Sequence, residues 1–182
     1  MLTLSTIGSG PVSMALARDH LRIYHTQDDT NIASALNAAV DTWNRDTCRP
    51  VIQTTYQQEF DSVPAGWMFT AGPVYSVSSV KWYDAETHAA TTVAASNYRV
   101  QQTGAWNKLQ FLYDFKSDAS AAGWWEVTWI AKWDNVPDDV IRAILMLTAS
   151  FYDERDDLTP LQMRSISIGW SRIASSYRWA AT

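Results

Sequence analysis

Histidine and cysteine, the residues best suited to metal binding and nucleophilic chemistry, are few and poorly spaced. His20 and His25 are five residues apart, so a helix would not place them on one face, and no carboxylate spacing completes a metal set with them or with His88. Cys48 is the only cysteine, which excludes an intrachain disulfide and a cysteine-based zinc site. It follows an amphipathic pattern and is expected to be a small buried side chain. We predict no metal and no cofactor.

The acidic pairs also lack a catalytic arrangement. Asp28-Asp29, Asp138-Asp139 and Asp156-Asp157 each fall at a predicted helix end, where capping and the helix dipole explain them. The seven glycines are scattered and form no phosphate-binding loop. An enzyme that uses Asp153 and Glu154 is the least favoured hypothesis, because no spaced set of partner residues supports it. The sequence predicts a protein that is not an enzyme.

Ten tryptophans offer a different kind of chemistry, since aromatic faces pack in cores and bind sugars. Trp125, Trp129 and Trp133 alternate along one predicted strand, which favours a core face. A carbohydrate-binding β module remains the alternative hypothesis. Its proposed sugar platform would use Trp82, Trp106 or Trp124.

The C-terminal residues 158–182 differ in charge from the rest of the chain. They carry three arginines and no acid, a net charge of +3, whereas residues 1–157 have a net charge of −8. Aromatic residues are interleaved with these arginines, and this composition is typical of a docking peptide that orders on its partner. The predicted anchors are Arg164, Trp170, Arg172, Tyr177, Arg178 and Trp179.

Three helices are predicted to frame the chain. Ser13 is a suitable N-cap for a helix over residues 13–24, and apolar residues at helical spacing from Ile32 to Trp43 predict an amphipathic helix over residues 30–46. Pro137 suits the first turn of a long, mostly apolar helix over residues 137–156. We expect this third helix to be the most buried element.

Between these helices the apolar period changes from a helical one to two, which is typical of β-strands. The predicted strands are 51–60, 77–83, 91–93, 98–101, 108–113 and 124–133. The predicted fold class is therefore α+β. It consists of a helical bundle with an inserted antiparallel β-sheet or sandwich at residues 51–133, forming a domain over residues 1–157, and an extended C-terminal tail over residues 158–182.

Overall composition limits the class of protein. The chain has 182 residues and a net charge of −5, which argues against a dedicated nucleic-acid binder. It has neither a signal-peptide pattern nor an apolar run long enough for a membrane span, so we expect synthesis in the cytoplasm and no membrane partner.

The order of these elements resembles the head-tail connector proteins of long-tailed bacteriophages, also called adaptor or head-completion proteins. The resemblance covers residues 13–157, and the chain departs from it at Ala131-Lys132-Trp133, where the family often has a glycine. The matching pieces are His20-Leu21-Arg22-Ile23 with Asp28-Asp29, Cys48-Arg49-Pro50-Val51-Ile52-Gln53-Thr54, Gly72-Pro73-Val74, Tyr98-Arg99-Val100, Glu126-Val127-Thr128-Trp129 and Val136-Pro137.

The resemblance implies a structural virion protein without catalytic activity. Members of this family form a closed ring, usually of twelve copies, in the virion neck beneath the portal protein. The following ring is the stopper or tail-terminator protein, and genomic DNA passes through the lumen without specific binding. The resemblance thus implies assembly in the host bacterial cytoplasm, self-association and portal binding, the last of which we expect to use the C-terminal tail.

Overall fold

The computed structural model describes residues 2–7, 10–61, 67–103, 106–112, 123–153 and 160–179 of the chain. For residues 2–7, 103, 106 and 160–168 only the backbone is described. Two compact units are present. The sheet unit comprises Met1–Ile7, Gln53–Trp133 and Trp179–Thr182, and the helical unit comprises Gly8–Ile52 and Asp134–Arg178.

Four helices form the helical unit, namely α1 (Met14–Leu21), α2 (Asp29–Thr47), α3 (Asp138–Asp153) and α4 (Pro160–Tyr177). The first three confirm the predicted helices. The Ser13 hydroxyl accepts a hydrogen bond from the amide of Leu16 at 3.2 Å and so caps α1 as expected. The apolar stripe of α2 is buried, including Ile32 and Trp43 at 0% exposure. On α3 the buried residues form one stripe at helical spacing with Leu145 buried beside it.

Polar contacts fix the junction between α1, α2 and α3. The guanidinium of Arg18 forms a two-pronged ion pair with the carboxylate of Asp29, the first residue of α2. The Tyr152 hydroxyl on α3 donates a hydrogen bond to Asp28 at 2.9 Å. The adjacent acids Asp28 and Asp29 therefore have structural partners at the start of α2, consistent with the expectation that helix ends explain these pairs.

The C-terminal segment differs from the prediction, because it is helical and not extended. Pro160 occupies the first turn of α4, where its missing amide hydrogen costs nothing. Trp170, Ile173, Ala174 and Tyr177 follow at i, i+3, i+4 and i+7, and all four pack on the core of the helical unit. The helical stripe lies in a segment that also contains Pro160 and Gly169. Burial of that stripe gives α4 the tertiary support that a short helix needs.

A five-stranded antiparallel sheet dominates the sheet unit, in the order β1-β2-β8-β4-β5. Its strands are β1 (Leu2–Ile7), β2 (Gln53–Phe60), β4 (Val74–Asp84), β5 (Ala90–Thr92) and β8 (Gly123–Ala131). A three-stranded antiparallel sheet contains β3 (Trp67–Met68), β7 (Trp106–Phe111) and β6 (Tyr98–Thr103), in that order. All six predicted strands are present, whereas β1 and β3 were not predicted.

Aromatic side chains form the core between these two sheets. Trp125 and Trp129 alternate on the inner face of β8 and are 2% and 0% exposed, as the alternation predicted. Trp129 contacts Trp67 of β3 edge to face, with 5.4 Å between the ring centroids. Trp125 contacts Phe111 of β7 in the same way, with 5.2 Å between the centroids. The α+β class with antiparallel sheets inserted between helices is thus confirmed.

Candidate functional site

The six predicted anchors lie on α4 and immediately after it, but their environments differ. Arg164 lies on α4, and its side chain is outside the described residues. Trp170 is half-buried against the helical core. Arg172 is exposed on the same helix, and Arg178 is exposed just beyond its end. Of the anchors whose side chains are described, these two arginines present charge to solvent.

Tyr177, the last residue of α4, is held within the helical unit. Its hydroxyl donates to the two carboxylate oxygens of Asp139 at 2.9 and 3.0 Å, and its ring lies 6.0 Å from that of Trp43. Burial, followed by the hydrogen bond to Asp139, raises the pKa of Tyr177. The Arg178 guanidinium donates to the Asp46 carbonyl at 3.2 Å, near the C-terminal end of α2, where cations are favoured.

Trp179 is 4% exposed and belongs to the sheet unit. Its indole N–H donates a hydrogen bond to the Phe69 carbonyl at 2.6 Å. The ring lies so close to Gly72 that it would collide with a Cβ at this position. A side chain at residue 72 would therefore force the Trp179 ring to move. The structure assigns Tyr177, Arg178 and Trp179 intramolecular partners that sequence reasoning did not foresee, because all three partners are distant in the chain.

Two of the three tryptophans considered for a sugar platform lie on opposite faces of the five-stranded sheet. Trp82 pairs in register with Trp125, whereas Tyr83 pairs with Trp124, so Trp82 and Trp124 lie on opposite faces of the sheet. Trp124 stacks on Tyr83, with ring centroids 5.1 Å apart and ring planes 1° from parallel. The side chain of Trp106 is outside the described part of the molecule. Trp82 and Trp124 thus do not form a shared platform.

The candidate catalytic residues that the structure describes are spread over several elements. Asp153 is exposed at the end of α3, and Glu154 is outside the described residues. Burial raises the pKa of the Cys48 thiol, which disfavours the nucleophilic thiolate. His88 lies against the edge of the Trp124 ring in the sheet unit, whereas His20 and His25 belong to the helical unit. Within the described residues, no three His, Cys, Asp or Glu side chains form a group that could hold a metal ion.

One polar cluster was not predicted, and it surrounds Glu126 on the outer face of the five-stranded sheet. Glu126 is 8% exposed. Its carboxylate accepts hydrogen bonds from Gln57 at 2.5 Å, from Lys81 at 3.1 Å and from Tyr83 at 3.3 Å. The hydrogen bond and charge of Glu126 raise the pKa of Lys81. Neighbouring strands contribute all three donors, so only knowledge of strand order and register could have identified this cluster.

The helices in the described part of the chain are all too short or too polar to cross a membrane. No family model matches the chain, and no curated protein matches it significantly.

Solved structures do match, and they come from gene transfer agent (GTA) particles. A chain in the neck of an empty GTA particle computed with C6 symmetry is 21% identical, covers 100% of this chain and 97% of its own length, and has a TM-score of 0.75. A chain in the virion of a native gene transfer agent (GTA) particle is 22% identical with the same coverage and a TM-score of 0.76. A chain in the neck of a native GTA particle computed with C12 symmetry is 22% identical, also with that coverage, and has a TM-score of 0.72. The chain therefore shares its complete fold with these proteins.

Proposed function

We propose that this chain is a structural protein of the virion neck, where it forms the adaptor ring between the portal protein and the stopper or tail terminator. The observation that carries the proposal is the full-length match in fold to chains of GTA necks. Both units of the molecule are included in that match, since it covers 100% of the chain. The resemblance to head-tail connectors, based on the order of short sequence motifs, independently supports the same placement.

Twelve copies in a closed ring are the proposed assembly. One similar chain comes from a neck computed with C12 symmetry, and another from a neck computed with C6 symmetry, which twelve copies also accommodate. Closed rings of identical subunits use a heterologous interface in which two different surface patches meet. We expect this interface to form between neighbouring subunits, each of which contains one helical unit and one sheet unit.

Portal binding is the proposed role of the C-terminal segment. Arg172 on α4 and Arg178 just after it present exposed cations. Arg164 also lies on α4. Arginine and large aromatic residues commonly dominate binding energy at protein interfaces. Trp170, Tyr177 and Trp179 remain predicted anchors, although in the isolated chain each has a structural contact.

The proposed ring surrounds genomic DNA without binding it specifically and without catalysis. A net charge of −5 supports this role, because a cationic wall would hold DNA phosphates through counterion release. The protein would be made in the bacterial cytoplasm and would act in the virion neck. Trp82 and Trp124 lie on opposite faces of the sheet, so a carbohydrate-binding function would have to depend on one of these tryptophans without the other.

Single-particle imaging of purified particles tests this proposal. Particles that carry a tagged copy of the chain should show a closed ring at the neck with the tag at each subunit. Particles from a strain that lacks the gene should contain portals but no attached stopper, and a plasmid copy should restore attachment. Absence of the tagged chain from the neck, or one copy per vertex, would contradict the proposal.

A further inference from the structure

The side chain of Trp179 occupies a pocket whose shape and polarity both select an indole. Three carbons of the ring, Cη2, Cζ2 and Cζ3, lie less than 3.0 Å from the position that a Cβ on residue 72 would take. The N–H group of the same ring donates to the Phe69 carbonyl at 2.6 Å. Phenylalanine or leucine could fill part of this space but could not donate that hydrogen bond.

The wall of the pocket is fixed by contacts that do not involve Trp179. The Trp129 indole donates to the Ala71 carbonyl at 3.0 Å, and its ring lies 5.4 Å from that of Phe69. Trp67 contacts both Phe69 and Trp129 edge to face. Residues 69–72 are thereby held against the aromatic core of the sheet unit. The pocket should consequently keep its shape when the Trp179 side chain is absent, as preformed binding sites do.

The occupant of the pocket follows α4 closely in the chain. Trp179 is separated from the last residue of α4 by Arg178 alone. A segment that inserts one aromatic side chain and one hydrogen bond into a preformed pocket has the features of a peptide bound to a recognition domain. We propose that the pocket formed by Phe69 and Gly72, hereafter the Gly72 pocket, is a binding site for tryptophan-bearing peptides, normally occupied by the chain's own Trp179.

This inference deepens the proposed function and rests on it in one respect. Tyr177 and Trp179 are proposed portal anchors, yet their side chains have intramolecular partners in Asp139 and Phe69. The same groups cannot occupy both places, so portal binding by Trp179 requires the Gly72 pocket to release it. Occupancy of the pocket then reduces the apparent affinity for the portal by the fraction of chains whose tail is bound.

A peptide added in trans tests the pocket without any portal. The receptor is the full chain with Trp179→Ala, and the ligand is a synthetic peptide of residues 174–182, titrated by calorimetry. We expect one peptide to bind per chain, with a Trp179→Phe peptide weaker by about tenfold, the cost of one hydrogen bond to a buried carbonyl. A Trp179→Ala peptide, or a receptor that also carries Gly72→Ala, should give no binding. Equal binding to the Gly72→Ala receptor, or none to a folded Trp179→Ala receptor, would overturn the assignment.

Trypsin provides a second measurement in case the Trp179→Ala chain folds poorly. Cleavage after Arg178 removes the last four residues and can be followed by mass spectrometry on the wild-type chain and on Gly72→Ala. Because a Cβ at position 72 displaces the indole, cleavage at this bond should be faster in Gly72→Ala by at least about tenfold, as expected for a segment released from the folded state. Equal cleavage rates in the two proteins would contradict occupancy of the pocket by Trp179.

The portal measurement separates the two proposals. If the Gly72 pocket restrains the tail, Gly72→Ala should bind portal rings more tightly than wild type, whereas Trp179→Ala should bind more weakly. If both variants bind portal rings more weakly than wild type, release of Trp179 from the Gly72 pocket does not contribute to portal binding. That result would overturn the restraining role of the pocket. Failure of the wild-type chain to bind portal rings would count against the proposed function, and the peptide titration would still decide whether the pocket binds tryptophan.

Discussion

Glu59 and Glu126 are direct cross-strand partners in the pairing of β2 with β8, yet one is exposed and the other is 8% exposed. Like charges in opposed positions destabilise a sheet unless something separates or neutralises them. Lys81 supplies that neutralisation, because its ammonium nitrogen lies 3.1 Å from Glu126, and Gln57 and Tyr83 add further donors. Two glutamates at the same register position therefore have different energetic roles.

The buried member of this pair should contribute measurably to stability. We expect Glu126→Gln to lower the free energy of unfolding by about 1–3 kcal/mol, because the charge-assisted hydrogen bonds to Lys81 and its neighbours are weakened. Urea denaturation near neutral pH measures the effect. The matched control is Glu59→Gln, which should change the free energy by less than about 0.5 kcal/mol. Equal effects of the two substitutions would contradict the assigned roles.

Tyr177 predicts a pH dependence at the alkaline end. Its pKa is raised in the folded chain, so the associated stabilisation is present below the unfolded value of about 10 and is lost as pH rises through the higher folded value. Tyr177→Phe should be less stable than wild type by about 1 kcal/mol at pH 7 to 9, because the bonds to Asp139 are lost. The difference should shrink above pH 10 in thermal or urea unfolding. A constant difference across this range would exclude the predicted linkage.

Trp129 should be sensitive to truncation of its indole ring. Trp129→Phe removes the hydrogen bond to the buried Ala71 carbonyl and leaves a cavity, which together should cost about 3 kcal/mol or more. Trp124→Phe on the same strand is the control, since Trp124 is half-buried and its stacking on Tyr83 can largely be retained. We expect this control to cost about 1 kcal/mol or less. The prediction fails if both variants unfold at the same urea concentration.

Charge reversal on α4 should weaken portal binding without unfolding the chain. Arg172 is exposed, so Arg172→Glu should leave the free energy of unfolding unchanged within about 0.5 kcal/mol. Its affinity for portal rings should fall by about tenfold or more, with a larger loss at low ionic strength. Arg142→Glu, an equally exposed reversal on α3, should bind the portal like wild type. A loss of equal size in both variants would indicate a general charge effect and not an anchor at Arg172.

The sequence determined the class of fold because its local patterns agreed with their environments. The helical stripe from Ile32 to Trp43 and the alternation of Trp125 with Trp129 each required one buried face, and both faces are buried. The turn at residues 84–88 was also encoded locally. Asp84 accepts hydrogen bonds from the amides of Glu86 and Thr87, so the residues that form this turn are adjacent in the chain.

The roles of the C-terminal residues and of isolated polar groups follow from the three-dimensional fold. The composition of residues 158–182 suggested an extended tail, but burial of the Trp170 to Tyr177 stripe makes the segment helical up to Tyr177. The sequence predicts Trp179 as an anchor for a partner. In the folded chain its indole N–H donates to the carbonyl of Phe69, which lies 110 positions earlier. Such contacts depend on strand order and helix packing, and the free energy that selects them is shared over many distant residues.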